Sequence, residues 1–270
     1  HRLEGQDLQQ LKKGTSDAEK ITISFYVKST KTGTYILEVV DHDSSRHISK
    51  SYTISSSGTW EQKILTFDAD TTGALTNDNT TSIQLNWWLI AGTNHSSGTL
   101  QTTWSGYAGA SDYQNSAVGN VNLGDNTSNT WEITGIQMEV GSQATPFEHR
   151  SFGEELALCQ RYYAHYGANN GYGRLALGEN ATTTEAQNYI FPAVEMRTVP
   201  TMVTSGNVNH YALYNSASIK TVTGIILGSA SSTKVVYFQT TVSSGLTDGG
   251  ASQLMVNNNS SYYIALDSEL

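Results

Sequence analysis

The segment "ATPFEHRSFGEELALCQRYYAHY", residues 144–166, gathers reactive side chains that its Thr/Ser/Asn/Gly-rich surroundings lack: His149, Cys159 and His165 beside Glu148, Glu154 and Glu155. Zinc requires further thiolate or imidazole ligands at short spacing, which a C-x5-H pair does not supply. A glycosidase needs two carboxylates roughly 5 to 9.5 Å apart across a cleft. Adjacent glutamates in the first turn of a helix instead complement the helix dipole. No G-x-S-x-G, H-E-x-x-H or Walker loop occurs. The expectation is a protein that is not an enzyme, inactive on bacterial polysaccharides.

Two other stretches carry binding chemistry. "DHDSSRH" offers Asp41 and Asp43 in a D-x-D turn; such oxygen-rich loops suit calcium, and the same residues also serve a plain hairpin turn. Between Gly92 and Asn129 regular alternation disappears, and Trp104, Tyr107 and Tyr113 stand among Asn, Gln, Ser and Gly. Flat aromatic faces stack on sugars while small polar groups bond hydroxyls, a chemistry that antibody loops also use. The alternative is that Trp104 plugs the end of a sandwich and the tyrosines pack beneath the loop. Trp87 and Trp88 point to opposite faces of one strand, which makes one a core residue and the other a surface platform or subunit contact.

The elements that must position these residues are short strands. The chain has 270 residues, only 14% charged, with 24 Gly and 15 Tyr, a composition of β-structure with many turns. A net charge of −9 argues against nucleic acid, whose phosphates demand a basic surface. No apolar run approaches the roughly 18 residues of a membrane span, so no membrane insertion is expected. One cysteine, Cys159, excludes an internal disulfide framework.

Ile21, Ile23, Phe25 and Val27 alternate along "ITISFYVKS", and "YILEVV", "ISKSYTIS", "TWEQKILTFD", "SIQLNWWLIAG" and "TWEITGIQMEVG" repeat the strand pattern. Six or so antiparallel strands with one long loop suit a two-sheet sandwich. Pro146 then stops the sheet, and "GEELALCQRYYAHY" spaces Leu156, Cys159, Tyr163 and Tyr166 as one amphipathic helix. β-patterns resume beyond Gly167. The predicted fold is all-β: two jelly-roll-like sandwiches joined by a short helix. Their bounds are 1–150 (the N-terminus truncated), a helical junction at 151–166 burying Leu156, Cys159 and Tyr163, and a C-terminal β-domain at 167–270.

The run "WEITGIQMEVGSQATPFEHRSFGEELALCQRYY", with "SFYVKSTKTGTY" and "SIQLNWWLIAGT" before it and "VEMRTVPTMV" after it, resembles tail-fibre and related structural proteins of bacteriophages. The likeness covers nearly the whole chain. It implies a jelly roll like a carbohydrate-binding module, a structural calcium whose ligands no motif maps here, and no other cofactor. It also implies a homotrimer in contact with other virion proteins, located in the virion after synthesis in the host cytoplasm, with a bacterial cell-surface glycan as ligand. The alternatives are a capsid or tail decoration protein without a glycan ligand, and an accessory binding module of a polysaccharide-degrading enzyme.

Overall fold

The computed structural model describes residues 1–107, 113–167, 170–215 and 218–270, and these are all-β apart from one α-helix and a few 3-10 turns. It divides into two compact units, His1–His149 and Arg150–Glu269.

The first unit contains β1 (Arg2–Glu4), β2 (Ile21–Ser29), β3 (Gly33–Asp41), β4 (Arg46–Ile54), β5 (Glu61–Phe67), β6 (Thr81–Trp88), β7 (Ser105–Gly106) and β8 (Trp131–Val140). They form a five-stranded sheet, β1-β6-β3-β4-β7, and a three-stranded sheet, β5-β2-β8. Alternation dictates the packing. Ile21, Ile23, Phe25 and Val27 from β2 meet Tyr35, Leu37 and Val39 from β3 and Ile48, Tyr52 and Ile54 from β4 in one core. Phe25 lies edge-on to both Tyr52 (5.2 Å between centroids) and Trp87 (5.8 Å), a favourable geometry for the ring quadrupoles. This unit is a β-sandwich.

The other face of the five-stranded sheet is covered as well. Ile36, Glu38 and Val40, which alternate with the core residues of β3, are all buried. The long segment between β6 and β8 lies across them: Val121 N–H donates to Thr34 O at 2.8 Å, Ser49 N–H to Gln101 O at 2.6 Å and Ser49 Oγ to Ser116 O at 2.7 Å.

The second unit starts with α1 (Phe152–Gln160) and continues through β9 (Tyr163–Gly167), β10 (Arg174–Asn180), β11 (Glu185–Ile190), β12 (Thr201–Thr204), β13 (Tyr211–Asn215), β14 (Ser218–Leu227), β15 (Val236–Val242), β16 (Ala251–Val256) and β17 (Tyr263–Asp267). Six strands close into a barrel, β10-β11-β15-β14-β13-β16, and β12-β17-β9 form a small separate sheet. A closed barrel replaces the expected second sandwich; closure leaves those six strands without a free edge.

The helical junction is shorter than predicted. Ser151 and Glu154 form a reciprocal capping box at its start, but the helix ends at Gln160, and "YAHYG" pairs with β17 from Tyr163↔Asp267 to Gly167↔Tyr263. Alternating residues with a strand partner take the ladder over a further helical turn. The expected burial also fails: α1 buries no residue, Leu156 and Tyr163 are exposed, and Cys159 is exposed. Phe152, Leu156 and Cys159 do share one face of the nine-residue helix, but that face stays exposed, so the apolar spacing alone did not bury it.

Candidate functional site

Trp104 stands just before β7, whose pairing with β4 (Arg46↔Gly106) brings it to the end of the sandwich. Its indole N–H donates to Asp68 O at 2.6 Å, and the Lys13 ammonium lies 4.5 Å from its ring centroid. The ring packs against the core of the first unit, so Trp104 closes one end of the sandwich.

Tyr107 and Tyr113 pack on each other, with centroids 4.0 Å apart, and both rings lie against His47, at 6.0 and 5.3 Å. Both are half-buried. Burial, then Tyr107 and the charge of Glu38, push the Tyr113 phenol above the ordinary tyrosine range. Beneath them is a polar layer that the sequence reading missed. Glu38 on β3 and His47 on β4 are each about 1% exposed, with His47 Nδ1 3.0 Å from Glu38 Oε1. Glu38 Oε2 accepts from Trp88 Nε1 at 3.0 Å and Asn86 Nδ2 at 3.2 Å. Burial pushes the Glu38 carboxyl up, but the partners His47, Ser116, Asn86 and Trp88 outweigh it and hold the group below the usual glutamate range. The signal in the sequence was a glutamate set inside the apolar run "YILEVV".

Ser116 Oγ also approaches His47, at 3.4 Å, yet it meets Nδ1, the nitrogen already bound to Glu38. A nucleophilic triad needs its hydroxyl on one ring nitrogen and its carboxylate on the other. This trio lacks that geometry. It fastens the long loop to the sheet. Trp88 belongs to the same layer, half-buried, with its ring 4.9 Å from His95.

The calcium candidates separate. Asp43 Oδ2 accepts from Thr76 N–H at 2.9 Å, whereas Asp41 turns inward at the end of β3 and is fully buried. There the Lys13 ammonium contacts Asp41 Oδ2 and also donates to Asp70 Oδ2 at 2.8 Å and Gly73 O at 2.9 Å. Arg46 Nε donates to the same Asp70 oxygen at 2.7 Å. Burial pushes Asp70 up, but Arg46, Lys13 and the Thr72 N–H outweigh it and hold the carboxyl below the usual aspartate range. Two cations and two anions thus neutralise one another inside the sandwich. Among the described residues no group of three or more His, Cys, Asp or Glu is placed to hold a metal; His149 instead packs on Phe147 and His165 on Tyr263.

An open aromatic groove lies elsewhere. Gly135, at φ 58°, allows a bulge in β8 opposite Ser24 and Tyr26, and Ile136 follows it at 42% exposure. Leu85, Trp87, Trp131, Ile133 and Ile136 line a cavity of about 580 Å³ there. The Trp87 indole N–H is buried without a hydrogen-bond partner among the described residues. The Trp131 N–H is buried in the same way, and the aromatic wall that the two indoles present suits the C–H face of a ligand. No family model, curated protein or solved structure matches this chain.

Proposed function

We propose that this chain is a virion structural protein, a phage fibre or receptor-binding module whose first unit contacts bacterial surface glycans. The observation that carries the reading is the Trp87/Trp131 groove, where half-buried indoles offer a stacking surface. Trp104 is a weaker candidate contact than the sequence suggested, because the Lys13 ammonium occupies one of its faces. Tyr107 and Tyr113 contribute their outer edges only, since each ring is engaged with the other and with His47.

The proposed assembly is a homotrimer. It is supported by the outer surface of the barrel, where Leu177 pairs with Tyr189 and Tyr189 with Tyr237 across β10, β11 and β15, next to an exposed Phe191. Uncharged, aromatic-rich surface is the kind that subunit interfaces use. In an assembly, weak binding by each groove is amplified by linkage of the sites.

A glycan array followed by titration with the best binder tests the ligand, with Ile136→Arg as the blocking variant because its side chain is at the groove rim. Binding by the parent chain and its loss in a stably folded Ile136→Arg protein support the reading. Absence of any glycan binder would leave a decoration protein, and a monomer by light scattering at micromolar concentration would remove the trimer.

A further inference from the structure

The buried charge cluster holds the parts of a bond-forming site. Lys13 Nζ touches the carboxyl of Asp41, and the two side chains are 3% and 0% exposed. Ser44 N–H donates to the other Asp41 oxygen, Oδ1, at 3.0 Å, where negative charge would develop if the carboxyl carbon were attacked. Asp70 Oδ2 sits 2.8 Å from Nζ, with Arg46 on the same oxygen and Thr72 N–H on Oδ1 at 3.0 Å. Gly73 O fixes a further ammonium proton at 2.9 Å. The Trp104 ring lies over Nζ and is itself anchored to Asp68 O, which keeps solvent from that side.

We propose that Lys13 and Asp41 join through an intramolecular isopeptide bond formed by the folded chain itself, with Asp70 as the proton carrier. Lys13 passes one proton to Asp41 Oδ2, leaving an amine and a carboxylic acid. The amine lone pair attacks Asp41 Cγ, and Ser44 N–H holds the oxyanion on Oδ1. Asp70 takes a proton from the attached nitrogen and returns it to the Oδ2 hydroxyl, which departs as water while the Oδ1 carbonyl re-forms. One C–N bond forms, one C–O bond breaks, one water leaves, and no electron is gained or lost. Asp70 ends as it began, paired with Arg46.

Two physical terms drive the step. Nucleophile and carbonyl held in contact react with effective concentrations of ~10⁵ to ~10⁸ M, and condensation removes a cation and an anion from a site where each is poorly solvated. The product would tie the N-terminal segment to the end of β3.

The test is the intact mass of the full chain, purified, incubated in the folded state and then fully denatured. The expected mass is one water below that of the sequence, with a Lys13–Asp41 branched peptide after digestion. Lys13→Arg should show its full mass. Asp41→Asn should lose one ammonia instead and give a product identical to the parent, a readout that a purely structural pair would not produce. Full mass in the parent chain after prolonged incubation would overturn the proposal and leave the cluster an ion-pair network only.

Discussion

The two units solve the burial of polar groups in opposite ways. The first unit buries ionisable groups: Lys13, Arg46, Asp41 and Asp70 at one end of the sandwich, and Glu38 with His47 on the outer face of the larger sheet, under the long loop. The barrel interior holds neutral groups. Thr240 Oγ1 donates to Asn188 Oδ1 at 2.9 Å, Asn188 Nδ2 to Ser252 Oγ at 3.4 Å, and Asn180 Nδ2 to Thr247 O at 2.9 Å. The difference follows from what each set fastens. In the barrel these side chains project from strands whose backbone is already laddered to two neighbours, so amides and hydroxyls need only satisfy one another. In the sandwich they hold irregular segments: the N-terminal stretch, the loop after β5 and the segment between β6 and β8. Such segments have few ladder bonds of their own, and charge-assisted hydrogen bonds are the stronger fasteners.

Lys13→Met is the strongest way to break this contrast. It leaves Asp41 buried on the Ser44 N–H and Asp70 buried on Arg46, and breaking a buried pair from one side costs about 3–5 kcal/mol. Chemical denaturation should show that loss in the transition of the first unit. A loss below about 1 kcal/mol would mean that the cluster is solvated and fastens nothing.

Thr240→Val in the barrel should cost less, about 1–3 kcal/mol, because Asn188 Oδ1 loses its donor. The same loss should appear in mildly acidic and neutral buffer, since none of the three interacting side chains titrates there. A pH-dependent loss would erase the distinction between the units.

Acid separates the units at smaller amplitude. Glu38 and Asp70 are held below their ordinary values of 4.5 and 3.8. For a carboxyl whose folded pKa is depressed, the stabilisation is complete above the unfolded value and is lost as pH falls through the folded one. The first unit should therefore weaken as pH drops below about 4.5 toward the folded values, while the neutral network of the barrel does not respond. Hydrogen exchange along residues 89–123 measures this directly. Glu38→Gln should lower protection at neutral pH and flatten its acid dependence; unchanged acid dependence would assign the effect to other carboxyls.

The smallest effect should come from Cys159→Ser. Because the thiol is exposed, the change should stay within about 0.5 kcal/mol, and a thiol reagent should label Cys159 in the native protein. A protected thiol would show that an assembly covers the helix.

The alternation in "ITISFYVKS" was enough to assign a strand and its inward face, because a period of two follows from the backbone of a strand whatever lies around it; "YILEVV", an apolar run buried on both faces, gave a strand but no face. The place of Glu154 and Glu155 in the first turn of α1 was legible for the same reason, whereas the reciprocal cap between Ser151 and Glu154, equally local, went unread. The turn "DHDSSRH" was also local, yet its two aspartates found different partners. What only the tertiary structure decided was everything that depends on distant segments meeting. Lys13 reaches Asp41 and Asp70 across 28 and 57 residues, and barrel closure joins β10 to β16. The last strand of the second unit also gave Tyr163 a ladder in place of a helical turn. A local pattern tells which way a side chain points, but its partner is set by packing, and packing is a property of the whole fold.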